Sequence, residues 1–166
     1  GYWTKRMHKI LVFADSHGSH SEMIDVIKRE ENVDIILHAG DHARDLDTVL
    51  RKTRSTAGFY RVRGNCDFGN TPKDVFFEVD GIKILMTHGN EFGVKKSVSK
   101  LDYWAKEKGA DIVIFGHTHR PYNKNLDDLY ILNPGSIGQA RGLGESYAVI
   151  EINERITIDI KKYMQI

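Results

Sequence analysis

Seven oxygen- and nitrogen-bearing side chains follow five short apolar runs of the sequence, close to where each run ends. The runs read KILVFADSHG, VDIILHAGD, FYRVRGNCD, IKILMTHGN and DIVIFGHTH. The side chains belong to two aspartates, one asparagine and four histidines, namely Asp15, His17, Asp41, Asn65, His88, His117 and His119. Carboxylate, amide and imidazole ligands together favour Mn, Fe, Co, Ni or Zn over Mg alone. The set therefore indicates a site for transition-metal ions.

The number of candidate ligands predicts two ions. Seven ligands are too many for one ion with an open position, but they suit two ions that share a carboxylate and lie about 3.5 to 4 Å apart. Two divalent ions bring four positive charges, of which Asp15 and Asp41 balance two. The surplus can hold a hydroxide and an anionic substrate. Such a site is hydrolytic, and its nucleophile is a hydroxide that bridges the ions.

Each motif also has an ordinary structural interpretation. A buried histidine is usually hydrogen-bonded in a core, and Gly-Asp or Gly-Asn pairs usually form turns. We expect this of the remaining histidines, with His38 in the core, His8 and His20 in solvent, and His42 beside the ligands. Five such motifs at five strand ends are better explained by a common site.

The apolar runs are rich in β-branched residues, which is typical of strands buried on at least one face. A sixth run, LYILNPGS, has the same character. Ligands of α/β proteins gather outside the carboxyl ends of the strands. We therefore expect the seven side chains to meet at one rim of the sheet.

Three segments carry apolar residues at helical spacing. They are Met23, Ile24 and Ile27; Leu46, Val49 and Leu50; and Val94, Val98, Leu101 and Ala105. Ser19 and Glu22 form a predicted capping box that opens the first helix, and Gly109 suits a C-terminal cap of the third. The amino-terminal half is thus a β-α-β-α-β arrangement, which implies parallel strands joined by right-handed crossovers.

The later half is richer in strands. Residues 78–84 predict a hairpin around Asp80-Gly81, and residues 147–160 predict another around Asn153-Glu154. Together with the first half, this pattern predicts an α/β fold in which two mixed sheets pack together and helices lie outside.

Composition limits the remaining possibilities. With 166 residues, 40% of them hydrophobic and 28% charged, the chain suits one globular domain, which we place at residues 7–166 after an N-terminal extension, residues 1–6.

The longest apolar run, ILVFA, is too short to span a bilayer, and the single cysteine favours a reducing, cytoplasmic location. The net charge of +1 is too weak to hold a long nucleic acid. The sequence leaves open a homo-oligomer.

Five ordered motifs resemble those of the calcineurin-like metallophosphoesterases. The motifs are D-S-H at 15–17, G-D at 40–41, G-N-C-D at 64–67, T-H-G at 87–89 and G-H-T-H at 116–119. The resemblance runs over residues 9–136, and the short chain with its GNCD and NPGS elements is similar to the small prokaryotic phosphodiesterase branch. It implies a four-layer α/β/β/α sandwich and metal-dependent hydrolysis of a small phosphoester, most of all a phosphodiester.

The resemblance also implies roles for individual residues. Asp15, His17 and His119 would hold one ion, Asn65, His88 and His117 would hold the other, and Asp41 would bridge them. Asn65 and His88 would also contact the phosphate.

Two positions depart from the family pattern. Many relatives have histidine where this chain has Cys66, and many have histidine where it has Asn90. A phosphocysteine mechanism would require an arginine six residues after Cys66, where Pro72 stands. Cys66 is then either a small residue beside a ligand-bearing turn or a neutral neighbour of the phosphate with a role in catalysis. Asp67 either orients a ligand or caps the following turn.

The resemblance leaves an alternative to catalysis. One retromer subunit shares the fold and serves as a protein scaffold, so a catalytically weak binding module is the second hypothesis. A nuclease is the third, and the near-zero net charge argues against it.

Overall fold

The computed structural model describes residues 7–140 and 144–164. The predicted extension, residues 1–6, lies outside the described residues. In chain order the elements are β1 (His8–Phe13), α1 (His20–Arg29), β2 (Ile35–His38), α2 (Asp45–Thr53), β3 (Gly58–Arg61), β4 (Asp74–Val79), β5 (Ile82–Thr87), α3 (Ser99–Glu107), β6 (Ile112–Ile114), β7 (Pro121–Leu126), β8 (Leu129–Pro134), β9 (Ser146–Ile152) and β10 (Ile156–Lys162).

The strands form two mixed sheets of five. The first has the order β10-β9-β1-β2-β3, in which β1, β2 and β3 are parallel and β9 and β10 are antiparallel neighbours. The second has the order β4-β5-β6-β8-β7, with a parallel centre and antiparallel edges. The predicted β-α-β-α-β arrangement of the amino-terminal half is confirmed.

Alternating residues of the central strands bury the two faces of each sheet. Ile10 and Val12 of β1 pack in the apolar layer between the sheets, whereas Leu11 and Phe13 pack against α1 and α2 on the outer face. On the far side of the second sheet, Leu101 of α3 is fully buried in a third cluster. Successive side chains of a strand point to opposite faces, so each sheet buries one face against the other sheet and its outer face against helices. The predicted α/β/β/α sandwich is confirmed.

The hairpins follow from local turn chemistry. Asp80 and Gly81 both have left-handed backbone, with φ of 51° and 84°, which suits the tight turn predicted between β4 and β5. The predicted hairpin of residues 147–160 is β9–β10, whose connection is residues 153–155. A third hairpin, β7–β8, was not predicted, because β7 is a polar edge strand that begins at Pro121 and has no apolar alternation.

Two helix starts differ from the predictions. α1 begins directly after Ser19, but the Ser19 side chain makes no capping hydrogen bond, so the predicted capping box is wrong in that contact. α3 begins at Ser99, because the chain before it forms turns around Gly93 (φ 63°). The prediction that Val94 belongs to this helix is therefore wrong. At its other end, Gly109 (φ 74°) terminates α3 as predicted.

Candidate metal centre

The candidate ligands come from the ends of five strands in two sheets. Asp15, His17, Asp41 and Asn65 follow β1, β2 and β3 of the first sheet, and His88, His117 and His119 follow β5 and β6 of the second. The expectation of one rim of a single sheet is corrected, since both sheets of the sandwich contribute. We call this set of seven residues the rim.

The ligand atoms of the rim fall into two groups that share a residue. One atom each of Asp15, His17, Asp41 and His119 lies within 4.8 Å of the others. The same is true of Asp41, His88 and His117. A carboxylate that belongs to both groups is the arrangement expected for neighbouring ions.

Asn65 completes the second group. Its Oδ1 lies 3.0 Å from His88 Nε2 and 3.2 Å from His117 Nδ1. His88 uses its other nitrogen, Nδ1, to donate a hydrogen bond to the Ala39 carbonyl at 2.8 Å. Its Nε2 therefore faces the oxygens of Asn65 and Asp41, the latter at 3.3 Å. That position requires a positive charge, either a proton on His88 or a metal ion.

The first group contains buried polar atoms that have no hydrogen-bond partner among the described residues. Asp15 Oδ1 and His17 Nε2 are buried, and neither has a hydrogen bond to any described residue. Buried polar groups are normally satisfied, and each one left alone costs about 1–3 kcal/mol. His119 is oriented toward them, because its Nδ1 donates to the Gln139 carbonyl at 2.6 Å and its Nε2 lies 3.5 Å from Asp15 Oδ1. A cation between these atoms would satisfy all three.

The two carboxylates have opposite protonation preferences. Burial raises the pKa of Asp15 to about 7, although the charge of His88 opposes the effect. Burial would also raise the pKa of Asp41, but contact with His88 and the N–H of Cys66 outweigh it and lower that pKa below its ordinary value. Asp41 is therefore the carboxylate that stays ionised at neutral pH, whereas a bound cation must displace a proton from part of the Asp15 population.

Two of the imidazoles are held in the neutral form that binds metals. Burial, with the neighbouring His42 and His119, lowers the pKa of His17. Burial, with the charges of His88 and Lys95, lowers the pKa of His117 to about 4. His88 differs, because its carboxylate neighbours outweigh burial and raise its pKa.

The backbone of the rim is strained. Five of the seven residues have left-handed φ, at 51° for Asp15, 45° for His17, 65° for Asp41, 71° for His117 and 61° for His119. Residues other than glycine rarely adopt this conformation, and such outliers concentrate at functional sites. Gly64 is needed for a different reason, because a Cβ at this position would overlap with Asp41. No sequence pattern signals these conformations.

Asp67 joins the two loops that carry Asp41 and Asn65. Its carboxylate accepts hydrogen bonds from the backbone N–H of Asp41 (2.9 Å), His42 (2.7 Å), Ala43 (3.3 Å) and Gly64 (2.9 Å). Asp67 therefore orients the loop of a candidate ligand, Asp41, which is one of its two predicted roles. Its hydrogen bond to Gly64 closes the preceding turn, and among the described residues its side chain makes no hydrogen bond to the following turn, which was the other predicted role.

A second polar network lies beneath the ligands of the first group. Ser16 donates a hydrogen bond to Asp45 and contacts buried His38, each at 2.8 Å. The prediction that His38 is a core residue is confirmed. The prediction that His20 is solvated is wrong, because its ring pairs with Asp45 at 2.8 Å. His42 lies beside His17, with ring centroids 4.8 Å apart.

Cys66 is exposed and lies next to the rim without joining it. Its backbone N–H donates to Asp41 Oδ1 at 2.8 Å, and its sulfur lies 3.7 Å from Asn65 Nδ2. Burial and the charge of Asp41 raise the pKa of the thiol. The residue is absent from both described groups of potential metal ligands. His8, by contrast, is a half-buried residue at the start of β1.

The rim opens into a cleft of about 770 Å³. Asn65 and Cys66 line it, whereas His88 is 1% exposed and lies outside the lining. Asn65 is therefore better placed than His88 for the predicted contact with phosphate.

A four-layer sandwich with an Asp/His cluster at the carboxyl ends of its strands is the architecture of a metal-dependent phosphoesterase. The sequence profile of the calcineurin-like phosphoesterase superfamily domain matches residues 8–155. The chain belongs to this family.

Known proteins of similar sequence include metallophosphoesterases of bacteria and archaea. The chain is 37% identical to the probable metallophosphoesterase YsnB of Bacillus subtilis, over 90% of this chain and 88% of YsnB. It is 26% identical to the phosphodiesterase MJ0936 of Methanocaldococcus jannaschii, over 76% of this chain and 82% of MJ0936.

Solved structures share the architecture. A predicted phosphoesterase from Streptococcus pneumoniae superimposes with a TM-score of 0.81 and 34% identity, over 95% of this chain and 91% of that one. Vps29 of Entamoeba histolytica, complexed with Zn²⁺, superimposes with a TM-score of 0.72 and 19% identity, over 94% and 99% of the two chains. The latter likeness shows the fold alone.

No helix among residues 7–140 and 144–164 has the length and apolar character needed to cross a membrane.

Proposed function

We propose that the protein hydrolyses small phosphodiesters with the help of two divalent transition-metal ions. Mn, Ni, Fe, Co and Zn each suit the types of ligand present. The observation that carries the proposal is the sharing of Asp41 between two groups of metal-ligating atoms. The buried atoms of Asp15 and His17 that lack hydrogen bonds to the described residues support the same assignment.

The proposed ligands keep the division that the two groups define. Asp15, His17 and His119 would hold the first ion, His88, His117 and Asn65 would hold the second, and Asp41 would serve both. When bound, the ions act as Lewis acids on the phosphate and lower the pKa of a water molecule. The hydrogen bonds from His88 to Ala39 and from His119 to Gln139 fix which ring nitrogen of each histidine faces the site.

Cys66 supports a preference for diesters over monoesters. A monoester carries close to two negative charges near neutral pH, whereas a diester carries one. A thiol with a raised pKa is neutral at pH 7, so it neither balances the additional charge nor acts as a strong proton donor to the leaving oxygen. The diester loses less than the monoester from this arrangement.

The cleft and the net charge support a small substrate. A volume of about 770 Å³ suits a molecule of a few hundred daltons. The net charge of +1 provides no extended basic track for a long polyanion. Binding of long single-stranded nucleic acid that is tight at low salt, with a steep loss at physiological salt, would contradict this part of the proposal.

The deciding experiment combines metal analysis with two ester assays. Protein purified without added metal should contain up to two transition-metal ions per chain. It should hydrolyse bis(4-nitrophenyl) phosphate with a higher kcat/KM than 4-nitrophenyl phosphate, and a chelator should remove both activities. Full activity in chelator-stripped protein would overturn the metal assignment.

The same assays test the scaffold hypothesis. Metal-loaded, folded protein that hydrolyses neither ester would favour a binding module on the fold that Vps29 shares. Hydrolysis that returns when metal is restored to the stripped protein would favour the enzyme.

A further inference from the structure

The cleft beside the rim has a second part whose chemistry the metal ligands do not use. Its walls carry three cations, Lys95, Lys96 and Arg120. All three are exposed, and none forms an ion pair with a residue in the described parts of the chain. Among the described residues that line the cleft, the only carboxylate is that of Asp41, a candidate metal ligand. The outer part of the cleft is therefore positively charged.

A singly charged diester does not require these cations. Two divalent ions exceed the charge of Asp15 and Asp41 by two, and one anionic nucleophile together with one phosphodiester neutralises that excess. Cations that face the same space without partners match an additional negative charge on the substrate.

The floor of the same space is apolar. Val94 and Phe115 are 7% and 2% exposed, and half-buried Tyr122 packs edge-on against Phe115 with ring centroids 6.1 Å apart. An apolar floor with polar groups along its walls is the usual form of a site for a small molecule with a planar or apolar body. The floor and five of the seven rim residues line the same cleft, so a group bound on the floor can belong to the same molecule as a phosphate at the rim.

We infer that the substrate is a phosphodiester in which one ester group combines a planar or apolar body with a second anionic group, the chemistry of a nucleoside phosphate. The rim binds the diester, the floor contacts the body, and Lys95 and Arg120, which line the same cleft, bind the second anion. This inference rests on the proposed function and adds the substrate class to it.

Three chromogenic diesters with the same leaving group separate these contributions. They are the 4-nitrophenyl esters of methyl phosphate, of thymidine 5′-phosphate and of thymidine 3′,5′-bisphosphate bonded through its 5′-phosphate. Because 4-nitrophenolate leaves in every case, differences in kcat/KM report the other ester group. We expect kcat/KM to rise from the methyl ester to the thymidine ester, and by about tenfold more when the 3′-phosphate is present.

Two variants test the cations, and a third serves as the matched control. Lys95→Gln and Arg120→Gln should each lower the ratio of kcat/KM for the 3′-phosphorylated ester to that for the thymidine ester by about threefold. Lys52→Gln, an exposed lysine on α2 outside the cleft, should leave the ratio at the wild-type value. In the wild type the ratio should fall as salt is added, because the cations are exposed.

The outcomes distinguish this inference from the proposed function. Metal-dependent hydrolysis of all three esters at equal kcat/KM would overturn the substrate class and leave the hydrolase intact. A ratio that falls equally in Lys52→Gln and Lys95→Gln would overturn the role of the cleft cations. Failure of metal-loaded protein to hydrolyse any of the three would overturn both proposals.

Discussion

Ionisable side chains are arranged differently at the rim and in a separate polar cluster on the outer face of the first sheet. In that cluster, which consists of Glu30, Lys9, Tyr147 and Lys161, opposite charges meet directly. Glu30 accepts hydrogen bonds from Lys161 at 3.1 and 3.2 Å and from Tyr147 at 3.1 Å, and it lies 3.3 Å from Lys9 Nζ. We call it the Glu30 cluster.

At the rim the pairing of polar atoms is incomplete. Its carboxylates and imidazoles face one another, two buried atoms have no hydrogen bond within the described structure, and its backbone is repeatedly left-handed. Strain and unpaired groups of this kind reduce stability unless a ligand satisfies them. The comparison indicates that the Glu30 cluster contributes to folding and that the rim is arranged for binding.

The largest effect should come from removing the shared carboxylate. Asp41→Asn takes away the charge that both proposed ions contact, so kcat/KM for bis(4-nitrophenyl) phosphate should fall by about a hundredfold or more. The melting temperature measured in chelator should also fall, because the ionised Asp41 contacts His88 and the N–H of Cys66, and the rise in melting temperature on adding metal should shrink.

Asp159→Asn, the same substitution at an exposed residue of β10, is the control and should retain wild-type activity. An Asp41→Asn protein with full activity would contradict the arrangement of the rim as a binding site.

The next effect concerns Asp67, which holds part of the rim in place through four backbone N–H groups. Asp67→Asn replaces one acceptor oxygen with a donor, so the Asp41 loop should lose its position. We expect the metal affinity, measured by calorimetric titration, to fall by about 10- to 100-fold. Asp74→Asn, at the exposed start of β4, should bind metal as the wild type does.

A smaller effect is expected at Cys66, which lies next to the rim. Cys66→His places a group that can carry a positive charge beside the phosphate. The ratio of monoester to diester kcat/KM should rise by about tenfold if that charge contributes about 1.4 kcal/mol to the monoester transition state alone. With both metals bound, an unchanged ratio would make Cys66 a small residue beside a turn and nothing more.

The smallest effect belongs to the Glu30 cluster. Burial raises the pKa of Glu30, but the hydrogen bonds and charges of Lys161 and Lys9 outweigh it and lower that pKa. A carboxylate with a lowered folded-state pKa adds stability above its unfolded pKa, which is near the ordinary 4.5, and this stability is lost as the pH falls through the folded-state pKa.

Glu30→Gln should therefore lower the free energy of unfolding by about 1 kcal/mol at pH 7, measured by urea denaturation. The difference from wild type should disappear at acidic pH, and kcat/KM should be unchanged. A loss of activity without a loss of stability would mean that the Glu30 cluster is part of the site, and the comparison would fail.

The sequence predicted much of the fold because its signals are local. Short apolar runs rich in β-branched residues identified the buried strands, and Asp80-Gly81 and Gly109 marked a turn and a helix end that the structure confirms. Where the local signal was weak, the prediction failed. β7 has no apolar alternation, and Val94 has helical spacing to Val98 although its chain segment forms turns.

The sequence by itself determined which residues stand at the strand ends, because a polar residue that follows an apolar strand is visible from its neighbours. Tertiary structure alone decided how they meet. His88 finds its carbonyl partner 49 residues away, and the His117 N–H donates to Asp15 across 102 residues. The pairing of His20 with Asp45 and the convergence of two sheets on one rim arise in the same way. Such contacts depend on how the two sheets pack, and side-chain periodicity within a strand carries no information about distances between strands.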